Sequence, residues 1–223
     1  MSIHEQENAL FAQWRSYLNA HNQHFIADGV VNEEEWKAAP RKIVFLLKET
    51  NSEDYEWDER DYLQNYPLAD ANNTVRYLSQ WIPGILVAGE SPSWNWVYAI
   101  TQSRLTQTDL LRKICWVNVK KSPGGSTVEQ NAFNTYWRQQ ENQQFLRQQL
   151  DLYAPDIIVC CGTSWNYIEA YRDCNLQPLR NEDGIEYYFH GQRLVINFYH
   201  PLATTYTKEK FYNLLCKVVQ EHK

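Results

Sequence analysis

The chain has 223 residues, 43% of them apolar, which suits one domain of generous size with a core of its own and argues against disorder. A formal net charge of −6, from 27 acidic against 21 basic side chains, argues against indiscriminate coating of nucleic acid but leaves room for a small basic cleft on an acidic body. The opening residues MSIHEQENAL lack the basic-then-apolar pattern of a signal peptide and no apolar run is long enough to span a bilayer, so a cytoplasmic protein without a membrane partner is expected.

Leu10, Phe11, Trp14, Tyr17 and Leu18 recur at spacings of three and four, which predicts an amphipathic helix over residues 8–20 lying as a lid on the core. His21 and His24 follow in a polar stretch and read as solvated. Asn32 with Glu35 resembles a capping pair for a short helix over 33–39, which Pro40 ends. Residues 1–40 are therefore expected to form a helical extension packed on an α/β domain of residues 41–223. That domain opens with Ile43, Val44, Phe45, Leu46 and Leu47, an unbroken apolar run between charged flanks, as in a parallel strand covered on both faces. Open parallel sheets bind ligands outside the carboxyl ends of their strands, which points to Lys48, Glu49, Thr50 and Asn51.

Six carboxylates between Ser52 and Asp61, interleaved with Tyr55 and Trp57, predict a solvated loop or flap beside that strand end. Helices are expected over 73–82, stopped by Pro83-Gly84, and over 93–105, where Trp94, Trp96, Val97, Tyr98 and Ile100 cluster. ICWVNV, residues 114–119, reads as a second buried strand with Asn118 near its end, and KKSPGGS as a lysine-bearing glycine turn. One long helix is expected over 128–152. IIVCCG gives a third strand closed by Gly162, and Thr163 and Ser164 open a helix to 171, a turn whose free backbone donors suit a phosphate. Residues 185–189 and 193–199 read as a strand pair turning at a glycine, the second ending in His200-Pro201 before a last helix over 208–219. The alternation predicts a three-layer α/β/α fold with a central parallel four-stranded sheet.

LLKETN, WVNVKKSPGG, IIVCCGTSW and FYHPLA, in that order and with a long helix between the second and third, resemble the strand-end motifs of the uracil-DNA glycosylase superfamily. The nearest branch is the one carrying an iron-sulfur cluster, where the first strand ends in G-E-A-P-G, the second runs into N-V-V-K-C-R-P, the third reads I-V-x-L-G and the last ends H-P. The likeness covers residues 41–220. It implies a uracil-DNA glycosylase-like fold and a monofunctional DNA glycosylase, a hydrolase that breaks the N-glycosidic bond of a flipped uracil or other damaged or modified base in DNA repair or surveillance. Carried over, Glu49 would stabilise the sugar cation and orient the attacking water, and His200, as a neutral imidazole, would donate to the leaving base. Asn118 would read a pyrimidine's Watson-Crick edge with one donor and one acceptor. Lys48, Asn51, Tyr55, Trp57 and Trp94 are candidates for the base pocket. Lys120, Lys121, Ser122, Gly124, Gly162, Ser164 and Thr204 are candidates for gripping flanking phosphates, with Leu202 as an apolar wedge in the stack. DNA, single- or double-stranded, is the implied partner and a monomer the expected state.

The chain also departs from that pattern. There is no early C-x-x-C, Lys121-Ser122 stands where the second motif has its cysteine, and the helix around Glu141 has none. The five cysteines, an odd count without a C-x-x-C pair, read as buried free thiols, so no iron-sulfur cluster, no metal and no other cofactor are expected. K-E-T-N adds the side chains of Lys48 and Asn51 where the family keeps a bare backbone. The aromatic G-x-P-F-x-G segment that stacks on uracil in relatives is absent, which leaves Tyr55, Trp57 or Trp94 to replace it. Two other functions stay open: a non-catalytic nucleic-acid or nucleotide binding module on the same fold, and hydrolysis of a free nucleotide or nucleoside.

Overall fold

The computed structural model describes residues 1–52, 55–65, 72–125 and 127–222. A reciprocal cap, in which the Ser2 hydroxyl accepts from the Glu5 amide and the Glu5 carboxylate from the Ser2 amide, starts α1 (Ile3–Ala20) well before the apolar spacing begins. Leu10, Phe11, Trp14 and Leu18 form its buried face. Two short strands follow, β1 (Ile26–Ala27) and β2 (Gly29–Val30), then α2 (Glu33–Ala38), whose first turn is capped by the Asn32 side chain. Residues 1–40 are thus more than a helical extension, because β2 pairs antiparallel with the strand at 115–116 and becomes part of the sheet.

β3 (Ile43–Asn51) contains the apolar run and continues through Lys48, Glu49 and Thr50. β4 (Trp57–Asp58) pairs in parallel with β1, and α3 (Glu59–Gln64) begins at once under an Asp58 cap. From Trp57 onward the acidic stretch is therefore anchored structure rather than a solvated flap. Arg60 holds Asp58 and the buried Glu7 at 2.6 Å each, and Glu59 is buried. Glu53 and Asp54, which that expectation included, lie outside the described residues.

α4 (Asn73–Leu86) runs through Pro83 instead of stopping before it. A proline inside a helix costs about 3 kcal/mol, and packing against the last helix outweighs it: Gly84 sits so close to the Tyr212 ring and Cys216 Sγ that a Cβ would overlap both. The helix expected over 93–105 is two, α5 (Trp94–Ile100) and α6 (Arg104–Leu111), because Ser103 caps a new start. β5 (Cys115–Gly124) is longer than its apolar run and absorbs KKSPG, since each lysine meets a carboxylate along the strand. The helix expected over 128–152 is also two, α7 (Gln130–Trp137) and α8 (Gln140–Tyr153), with the buried Asn142 amide bonded across the break to Tyr136 O and Gln139 Oε1. β6 (Ile157–Cys161), α9 (Ser164–Ala170), β7 (Leu179–Arg180), β8 (Glu186–His190), β9 (Arg193–Phe198) and α10 (Lys208–Glu221) complete the chain.

Among the described residues the main sheet has seven strands, in the order β2-β5-β3-β6-β9-β8-β7. Its centre, β5-β3-β6-β9, is the expected run of four parallel strands, and β2, β8 and β7 add antiparallel edges. Alternate residues of β3 face opposite layers. Ile43, Phe45 and Leu47 pack with α4, α6 and α10, whereas Val44 and Leu46 pack with α1, α7, α8 and α9. Each such side chain contributes roughly 1.5–3 kcal/mol on full burial, which makes β3 a firm support for what stands at its carboxyl end.

Candidate functional site

The β3–β5 ladder sets Leu47 opposite Asn118 and Glu49 opposite Lys120, then shifts register before Asn51. That pairing puts the Lys120 ammonium 2.8 Å from Glu49 Oε2, and the same ammonium donates to Pro123 O at 2.8 Å. Gly124, expected as a phosphate grip, closes against this carboxylate: a Cβ there would lie 2.5 Å from Glu49 Cδ. Glycine is required by close approach here, not by backbone angle.

Asn118 is 2% exposed. Its side-chain NH2 donates to Thr50 Oγ1 at 3.0 Å and to Glu59 Oε2 at 2.6 Å, and the Thr50 hydroxyl donates to the same Glu59 oxygen at 3.0 Å. Its backbone amide donates to Asp28 Oδ2 at 2.7 Å. Asp28 Oδ1 in turn accepts from the Lys121 ammonium and from Gln149 Nε2. Burial, with the Asp28 charge adding to it, pushes Glu59 up to about 8, against the lowering effect of its hydrogen bonds and of Lys121.

Three residues expected to grip phosphate are corrected here. Lys121 is fully buried, with Asp28 as its counter-ion and the Trp14 ring 5.2 Å away, so it does not reach a phosphate. Burial lowers its pKa while Asp28 opposes that shift. Ser122 is buried as well, because β5 continues where a turn was expected. Lys120 is nearly buried in its pair with Glu49, so neither lysine forms a surface grip.

His200 follows β9. The Leu202 amide donates to its Nδ1 at 3.2 Å, which places the ring proton on Nε2. Burial lowers its pKa, and the positive charges of Lys48 and Lys208 lower it further, so the imidazole is neutral.

These groups meet on one cleft of about 1050 Å³ at the carboxyl edge of the parallel strands. Glu49, Asn118 and His200 line it, as do Lys48, Asn51, Tyr55, Trp57 and Leu202. Trp94 does not: on α5 its ring packs 5.7 Å from Tyr212 and 5.9 Å from Tyr98, which makes it support for α10. Gly162, at φ +75°, borders a neighbouring groove of about 380 Å³ that shares Lys48 with the cleft. Ser164 begins α9 beyond it, and Thr204 is exposed in the turn after His200.

Sequence reasoning misses Glu59 and Asp28. Glu59 is one of six carboxylates in a short stretch, and the distinguishing feature is Asp58 just before it, an N-cap residue that puts Glu59 at the start of a helix. Asp28 stands alone among Phe25, Ile26, Ala27, Val30 and Val31, and an acid in so apolar a run needs a buried partner. Four cysteines, 115, 160, 161 and 216, are buried, and Cys174 is partly exposed. Among the described residues no group of three His, Cys, Asp or Glu side chains converges as a metal site requires, and no helix is long and apolar enough to cross a membrane. A scan against protein-family models finds no match to the chain, and a search of curated proteins finds none either.

Proposed function

We propose that the cleft receives a flipped nucleobase and that the protein is a DNA glycosylase of the uracil-DNA glycosylase type, hydrolysing the N-glycosidic bond with water as nucleophile. One observation carries the reading: Glu49 on β3, Asn118 on β5 and His200 after β9, far apart in sequence, line a single cleft at the carboxyl edge of a parallel sheet. Its volume, about 1050 Å³, stands at the top of the roughly 300–1,000 Å³ range of small-molecule pockets and accommodates a base with its sugar. Breaking the bond puts positive charge on the sugar and negative charge on the base. Glu49 would face the first and orient water. His200, neutral with its proton on Nε2, would donate to the second.

A second reading, a non-catalytic nucleotide or nucleic-acid binding module, is favoured by the Glu49–Lys120 pair. A carboxylate with an ammonium at 2.8 Å has part of its charge offset before any sugar cation forms. The deciding experiment scores abasic-site formation on single- and double-stranded oligonucleotides carrying uracil, oxidised, alkylated or bulky modified bases. Release of one base, abolished in both Glu49→Gln and His200→Ala, supports the hydrolase. Release surviving both changes overturns it, and salt-sensitive oligonucleotide binding without release selects the module.

A further inference from the structure

Glu59 Oε1 and Asn118 Oδ1, in the walls of the cleft, take part in none of the hydrogen bonds among the described residues, and Ser52 Oγ, Trp57 Nε1 and Trp116 Nε1 of other lining residues are unpaired as well. Glu59 and Asn118 are 6% and 2% exposed, so both groups are held in place by burial. The Asn118 amide nitrogen donates to both Thr50 Oγ1 and Glu59 Oε2. Its nitrogen is turned to these neighbours, and what Asn118 offers a ligand is the Oδ1 acceptor. Glu59 Oε2 already accepts two hydrogen bonds, from Asn118 and Thr50, so a proton on this carboxyl resides on Oε1.

We infer that Glu59 is a specificity-determining residue of the cleft: as a neutral carboxyl it donates from Oε1 to a carbonyl oxygen of the bound base, while Asn118 Oδ1 accepts from the ring N–H beside that carbonyl. This rests on the nucleobase reading and deepens it. The ligand class is a base with a lactam edge, a ring N–H next to a C=O. Methylation of that nitrogen removes the donor and places a methyl group against a carbonyl oxygen in a buried corner. Ionised Glu59 would instead set a carboxylate against the ligand's carbonyl oxygen, so recognition needs the proton.

The surroundings agree with a proton held at neutral pH. Thr50 from β3 and Asn118 from β5 meet Glu59 with neutral donors. The nearby charges are Asp28, from the segment between β1 and β2, and Lys121 on β5, which pair with each other. On α3 itself Arg60 is committed to Asp58 and to Glu7 of α1, and from α6 Arg112 donates to Gln64 O. None of these places an unpaired cation on Glu59, and burial holds its carboxyl near 8.

The test is a ligand-observed NMR titration of deoxyuridine and deoxyinosine, each beside its ring-N-methylated counterpart, from pH 6 to 9.5, with wild type and Glu59→Gln. A glutamine amide donates as the neutral carboxyl does and does not titrate. Wild-type affinity is expected to fall about tenfold between pH 7 and 9 beyond the change seen in the Glu59→Gln variant, which reports the ligands' own ionisation. The N-methylated nucleosides are expected to bind neither protein. Matching pH profiles in the two proteins, equal binding of the methylated ligands, or no nucleoside binding at all would overturn the inference. Base release is scored separately on the oligonucleotide panel. Nucleoside binding with the expected profile and no release removes the hydrolase reading alone, and base release together with matching nucleoside-binding pH profiles in wild type and Glu59→Gln removes this inference alone.

Discussion

Glu49 is held from two sides, by the Lys120 ammonium and by the bare Cα of Gly124. A Gly124→Ala change puts a methyl group where the carboxyl now lies and pushes it off its position. Under the hydrolase reading, base release is expected to drop about 10- to 100-fold through kcat rather than KM, since displacement of a catalytic group by an ångström has that effect. Unchanged kcat in Gly124→Ala would show that the Glu49 position does not matter to the reaction. At this scale the sequence is legible where one residue type is demanded by its own neighbours and illegible where the demand comes from afar. Glu49, Asn118 and His200 are readable because each stands at or just past the carboxyl end of an apolar run in the sequence. Lys121 is not: two lysines before Ser-Pro-Gly-Gly look like a surface turn, and the acid that buries one of them lies near the other end of the chain, at Asp28. Removing a partner from such a pair leaves a buried charge, worth several kcal/mol.

The strands are the legible elements and the helix boundaries the less legible ones. An apolar run packed on both faces can hardly be anything but a central parallel strand, and β3, β6 and the first half of β5 follow from that. Helix ends depend on caps and on tertiary contacts. Ser103 starts a helix inside a stretch that reads as continuous, and Pro83 fails to stop one because α10 packs beside it. Gly84 makes that packing possible. A Gly84→Ala change, normally favourable in a helix, is expected to destabilise the protein by about 1–3 kcal/mol, because the added methyl overlaps Tyr212 and Cys216. Urea unfolding measures this directly. A stabilised variant would mean that α4 and α10 separate without cost.

For the molecule as a whole, the buried carboxyl of Glu59 links stability to pH. Its folded-state value near 8 stands above its ordinary 4.5, so between these values the folded protein holds a proton that the unfolded chain has released. Stability from this group is complete on the acid side, falls as pH rises through that window and is lost above it, at up to roughly 1.4 kcal/mol per pH unit. The Glu59→Gln variant lacks this slope, so its melting temperature relative to wild type is expected to rise between pH 5 and 9; parallel melting curves would rule the linkage out. The network around Glu59 also imposes an order in time. Asp28 precedes Asn118 by 90 residues and Gln149 by 121. At roughly 5–20 residues per second of synthesis, the acid and the amphipathic α1 spend several seconds or more outside the ribosome before their partners exist. The wall of the cleft is therefore among the last parts to be completed, and a nascent chain halted before α8 displays the apolar face of α1 to whatever chaperone or aggregate reaches it first.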